Sequence, residues 1–192
     1  MRPGDRDFVT VVSGVPRSGT SLLMQMLAAG GLEPLTDRRR AADADNPRGY
    51  FEFEPVKRLP EAAEWVAEAR GRAVKVIHLL APRLPPSYAY RIVVVRRDWD
   101  EVLASQAAML VGAGRPASEL ASDRLIAVFE AQLEELDRWA AHHGAPLLEV
   151  SHRHVVREPD ACAAALDGFL GGGLDRDEMS GAVDPALHRQ KV

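Results

Sequence analysis

The strongest constraint on this chain is the glycine-bracketed turn Gly14-Val15-Pro16-Arg17-Ser18-Gly19-Thr20-Ser21. It is entered from the apolar run Phe8-Val9-Thr10-Val11-Val12 and left through Leu22-Leu23-Met24-Gln25-Met26-Leu27. A strand, a glycine loop and a helix in that order make an anion cradle. The glycines let the backbone turn tightly, so that successive N–H groups and the positive end of the helix dipole converge on one phosphate or sulfate.

In nucleotide triphosphatases the pattern G-x-x-x-x-G-K-[ST] puts a lysine directly after the second glycine and then a hydroxyl for magnesium. Here Thr20 stands at the lysine position. The cation lies inside the loop at Arg17, whose guanidinium can fork across two anionic oxygens. The turn therefore predicts an anion site that differs from ordinary ATP or GTP hydrolysis.

Further along, Ala73–His78, Arg91–Arg96 and Pro146–Val150 read as strands. Helical spacing covers 20–29, a segment from Pro55 to Gly71 that Pro60 interrupts, roughly 98–110, Ser118 to about His142, and Pro159–Leu170. The unbroken β-branched run Ile92-Val93-Val94-Val95 suits a strand buried on both faces. The expected fold is α/β, a three-layer P-loop fold with a central, mainly parallel sheet of four to five strands flanked by helices. With 192 residues, 46% of them hydrophobic, a single domain over 1–192 is the expectation. In such sheets ligands sit beyond the carboxyl ends of the strands, and Gly14, His78, Arg96-Arg97 and Ser151 all fall there.

Charge and cysteine usage narrow the partners. The net charge of −4 gives no reason to expect nucleic acid or an anionic membrane, and no stretch is long and apolar enough to span a bilayer, so a cytoplasmic protein is expected. Residues 1–110 carry a balance of +2 and residues 111–192 one of −6, which places anion handling in the first part. The single cysteine, Cys162, reads as a small apolar residue on the last helix. His142, His143, His152 and His154 lack a supporting carboxylate or cysteine set, and no metal is expected.

Arg97-Asp98-Trp99-Asp100-Glu101-Val102-Leu103-Ala104-Ser105 places an arginine at a strand end and a serine two helical turns later. With Pro16–Ser21 this resembles the two donor-binding motifs of sulfotransferases that use 3′-phosphoadenosine 5′-phosphosulfate (PAPS), the second being R-x-P-x-D-x-x-x-S. Asn46-Pro47-Arg48-Gly49-Tyr50-Phe51-Glu52 is similar to the N-P-x-G-Y-x-E stretch of bacterial members. Val150–Pro159 with Phe169-Leu170-Gly171 is similar to the family's later strand, turn and helix end. The resemblance covers most of residues 8–171. It implies that Arg17, Ser18, Gly19, Thr20 and Ser21 bind the 5′ end of the donor and Arg97 and Ser105 its 3′-phosphate, without a metal. Three departures stand out: Arg17 for the lysine of many members, Trp99 for the motif's proline, and no evident counterpart of the R-K-G segment that covers the 3′-phosphate in cytosolic animal members. Whether Arg153, Arg157 or Arg189 substitutes for that segment is open at the level of sequence.

The resemblance implies sulfuryl transfer to a hydroxyl or amine acceptor, either a small molecule or a glycan or peptide, with Arg17 stabilising the leaving phosphate. For the base there are two candidates. Glu52 stands where members that use a carboxylate carry the catalytic glutamate, and a burial-raised pKa would suit it. His78 lies near the histidine of cytosolic members, although it follows Lys75 by three residues rather than two. A P-loop kinase or nucleotidase, and a non-catalytic module binding adenosine bisphosphate, are the alternatives. Arg38–Arg40 reads as a solvated charge run, the segments 32–60, 111–117 and 174–192 as walls of the acceptor pocket, and a homodimer as one way to complete that pocket.

Overall fold

The computed structural model describes residues 6–37, 39, 49–112, 114 and 122–184. Four strands, β1 (Val9–Gly14), β2 (Ala73–Lys75), β3 (Tyr90–Arg96) and β4 (Leu147–Ser151), form one sheet in the order β2-β1-β3-β4, with every pair parallel. The helices are α1 (Thr20–Ala29), α2 (Trp99–Gly112), α3 (Ser122–His142), α4 (His152–Arg157), α5 (Pro159–Phe169) and α6 (Arg176–Gly181). The expected α/β class and parallel sheet are what the chain adopts.

Alternation along the strands sorts the core into two faces. Val9, Val11, Ile92 and Val94 join Leu133, Leu136 and Ala140 of α3 together with Trp65 and Val66. Val12, Val93 and Val95 join Leu23, Met24 and Leu27 of α1, Cys162 and Leu166 of α5, and Met179 of α6. The sheet is thus covered on both sides, which is why β3 is apolar at every position from Ile92 to Val95. Cys162 is buried in this second cluster, where burial pushes its thiol up to about 11.

Three expectations are corrected. The helix expected between Pro55 and Gly71 is two short 3-10 segments, Glu54–Arg58 and Glu64–Ala69. Pro60 offers no N–H and holds Leu59 extended (φ −68°, ψ 140°), so no continuous helix can pass. Of the strand expected over 73–78, β2 proper ends at Lys75, although the Val76 and His78 amides still donate to the Val12 (3.0 Å) and Gly14 (3.3 Å) carbonyls of β1; Leu80 and Ala81 then donate back to the Ile77 carbonyl in a turn. Residues 174–184 do not lie at the loop: Asp175 caps α6, and Met179 packs against Gly30, at the end of α1 remote from Gly19. Ten helical residues, about 15 Å, separate the two ends. The expected start of α3 at Ser118 lies outside the described residues, as do Arg38, Arg40, Asn46-Pro47-Arg48 and Arg189. No helix among the described residues is long and apolar enough to cross a membrane.

Candidate functional site

The loop between β1 and α1 is held in a conformation that most sequences avoid. Gly14 ends β1 with φ 152°, and a Cβ there would lie 2.8 Å from the Val95 carbonyl oxygen. Gly19, the N-cap of α1, has φ 108°, and a Cβ on it would lie 2.5 Å from His152 Cδ2. Arg17 adopts φ 73°, a left-handed conformation that costs a non-glycine residue roughly 1–3 kcal/mol. Neighbouring contacts hold it there. Arg97 Nη1 donates to the Arg17 carbonyl (3.1 Å), Arg17 Nε donates to Ser105 Oγ (2.9 Å), and Gln106 Nε2 donates to the Pro16 carbonyl (3.2 Å). α2 therefore clamps the loop from the side of β3.

The N-terminus of α1 has no side-chain cap. The Thr20, Ser21 and Leu22 amides precede the first intrahelical donor, the Leu23 amide on the Gly19 carbonyl (3.2 Å), and point out of the helix end, as in any α-helix. Ser18 Oγ is fully buried with no hydrogen-bond partner. A buried hydroxyl without a protein partner at an uncapped helix N-terminus fits an anion as its ligand.

A second cation arrives from β2. Lys75 Nζ donates to Ser21 Oγ (3.1 Å) and to the Tyr50 carbonyl (3.2 Å). Sequence reasoning used Lys75 only to measure the spacing of His78. The signal for its role was a lysine inside a buried strand, on the same strand face as Ala73, which packs with α1. In the triphosphatase pattern the hydroxyl after the lysine position faces magnesium; here Ser21 faces an ammonium instead.

Lys75 also ties Glu52 to this centre. Tyr50 is buried, Phe51 takes φ 53° and packs on the second cluster, and the Glu52 carbonyl accepts from Thr36 Oγ1 (2.8 Å) and the Asp37 amide (3.3 Å). The Glu52 side chain is half-buried. Glu54 starts its 3-10 segment and pairs with Lys57 (2.9 Å).

His78 is 3% exposed beneath the loop. Its Nδ1 lies 3.2 Å from the Gly14 carbonyl and its Nε2 2.7 Å from the Gln132 side-chain amide, and Phe129 meets its edge. Burial lowers its pKa below the usual histidine value, against the raising effects of Gln132 and Gly14. Each ring nitrogen faces an oxygen, Nδ1 the Gly14 carbonyl and Nε2 Gln132 Oε1, with the donor set by the tautomer. Both nitrogens are engaged, so His78 braces the loop against α3.

On the other flank, Arg97 Nε donates to Glu101 Oε2 at 2.8 Å, with side chains 9% and 4% exposed. Arg97 and Ser105, which the sequence paired, both meet Arg17 rather than each other. Arg96 points away, pairing with Glu149 and Asp137 as strand alternation requires. Trp99, at the motif's proline position, stacks on Phe129 and donates to Glu130 (3.2 Å), pinning α2 to α3. A cavity of about 190 Å3 opens there between Val15, Arg97, Trp99 and Glu130. Among the described residues no three His, Cys, Asp or Glu side chains are grouped to hold a metal ion.

The fold matches solved structures across nearly the whole chain. Retinol dehydratase, in complex with androsterone and the inactive cofactor PAP, is 16% identical with a TM-score of 0.51, over 95% of this chain and 64% of that one. Mouse sulfotransferase SULT7A1, complexed with PAP, is 17% identical with a TM-score of 0.54, over 92% and 63%. The sulfotransferase of Alicyclobacillus acidocaldarius is 15% identical with a TM-score of 0.52, over 94% and 87%. The chain thus spans less than two thirds of the first two structures. No protein-family model matches the chain, and no curated protein matches it by sequence. At these identities the likeness establishes a sulfotransferase-like fold.

Proposed function

We propose that the chain transfers a sulfuryl group from PAPS to a hydroxyl or amine acceptor. The observation that carries this reading is the Arg17 Nε–Ser105 Oγ bond, which joins the two motif segments at the uncapped end of α1. The residues fit a donor with two anionic ends. The amides of Thr20, Ser21 and Leu22, the partnerless Ser18 hydroxyl, Arg17 and Lys75 would hold the 5′ end; Arg97 and Ser105 would hold the 3′-phosphate.

The donor brings an activated sulfuryl group on a phosphate leaving group. The chain's part is to stabilise charge, position the acceptor and remove its proton. Arg17 and the loop amides oppose the negative charge that collects on the departing phosphate. Lys75, on Ser21 and on the Tyr50 carbonyl, holds the Glu52 segment near the same centre. Glu52 serves as base in this reading, because it follows the family-like Gly49-Tyr50-Phe51 segment that Lys75 holds beside Ser21, while both ring nitrogens of His78 brace the loop. The ammonium against Ser21 also supports a metal-independent reaction over Mg-ATP chemistry.

The test is release of 3′-phosphoadenosine 5′-phosphate (PAP) from PAPS in the presence of phenolic, alcoholic and amine acceptors. Glu52→Gln is expected to lower kcat about 10²–10³-fold while leaving PAP affinity within about twofold. His78→Ala is expected to reduce stability more than it reduces kcat per folded molecule. The larger kcat loss in His78→Ala would move the base to the histidine. Tight PAP binding without turnover on any acceptor would favour the non-catalytic module.

A further inference from the structure

The sequence resemblance left the 3′-phosphate without its covering basic segment and offered three arginines. Arg189 lies outside the described residues, and Arg157 is exposed at the far end of α4. Arg153 is different. The register pairs Arg96 with Ser151, so the chain leaving β4 runs beside the chain leaving β3. The next residue, His152, is buried and fills the space over Gly19, which brings the 152–153 segment against the anion loop.

Glu101 links the two strand ends. Its Oε2 accepts from Arg97 Nε at 2.8 Å, and its Oε1 lies 3.7 Å from Arg153 Nη2. The two arginines are held unequally. Arg97 is 9% exposed and commits two of its donors, to Glu101 and to the Arg17 carbonyl; Arg153 is 50% exposed and sits beyond hydrogen-bond distance from its carboxylate. Arg97 and Arg153 therefore share one carboxylate, and Arg17, whose carbonyl Arg97 meets, brings the local excess to two positive charges, which matches a phosphate dianion.

We propose that Arg153 is the second guanidinium of the 3′-phosphate site, released from Glu101 to fork across phosphate oxygens while Arg97 stays fixed. This rests on the donor reading above. Glu101 holds Arg97 in place and keeps Arg153 close, so the two arginines do from the starts of α2 and α4 what a dedicated basic segment does elsewhere.

Calorimetric titration of wild type, Arg153→Ala and Arg153→Lys with PAP and with adenosine 5′-monophosphate, which lacks the 3′-phosphate, tests it. Arg153→Ala is expected to weaken PAP about 10–100-fold and leave the monophosphate unchanged, with Arg153→Lys between, because charge is kept and the fork lost. Equal losses for both ligands, or no loss for PAP, overturn the proposal while wild-type preference for PAP keeps the donor reading. A wild type that does not prefer PAP overturns the donor reading and this assignment with it. Unchanged thermal midpoints are expected for both variants, since the side chain is half exposed.

Discussion

Replacing Gly19 with alanine is expected to destabilise the protein by about 2–4 kcal/mol and to abolish anion binding at the loop. Two independent effects act at this position. The residue sits at φ 108°, where an L side chain is strained, and its Cβ would stand 2.5 Å from His152 Cδ2. His152 is buried at the start of α4, next to the sheet, so it cannot swing out into solvent. Either the loop rotates and turns its amides away from the anion, or His152 moves and drags the Arg153 segment with it. Urea denaturation with PAP titration of the same variant separates the two losses. A variant within about 0.5 kcal/mol of wild type that still binds PAP would mean that neither the turn nor His152 is fixed as described.

Glu101→Ala is expected to cost about 3–5 kcal/mol, the penalty for leaving a buried charge without its partner. Arg97 is almost wholly enclosed, and the carboxylate at 2.8 Å is the charge that meets it. The damage should extend beyond stability, because the same guanidinium supports the Arg17 carbonyl and with it the left-handed turn. Glu101→Gln keeps an acceptor for Arg97 Nε and should lose less than half as much. Thermal and urea unfolding of the two variants measure the difference; a loss below about 1 kcal/mol in Glu101→Ala would show that Arg97 finds solvent or another acceptor.

What was legible in the sequence was local. Glycine placement and the apolar runs on either side of it specify the strand, the loop and α1, and Ile92–Val95 announces a central strand by being apolar at every position. Asp98, directly before α2, accepts from the Asp100 amide through its Oδ1 (3.0 Å), the local pairing that starts a helix. Over 54–69 the interruption at Pro60 was legible, whereas the 3-10 geometry of the short segments on either side of it was not. The site's electrostatics were less legible because they are long-range. Lys75 meets Ser21 across 54 positions and Arg17 meets Ser105 across 88. Nothing in the local spacing marks Arg17 for a left-handed backbone, since the cause is a hydrogen bond from Arg97. Glu101 lay inside the second motif, yet its reach to Arg153 exists only because β4 pairs with β3.

The central claim is that the loop, Arg17, Lys75, Arg97 and Ser105 form one metal-independent clamp for a doubly phosphorylated adenosine. Calorimetry of the full chain with PAP in the presence of a chelator, and with ATP in the presence of magnesium, tests it directly. The account predicts PAP binding with a Kd on the order of micromolar or tighter, unaffected by chelator, and about 100-fold preferred over Mg-ATP. Tighter binding of Mg-ATP, or PAP binding that requires magnesium, would contradict it.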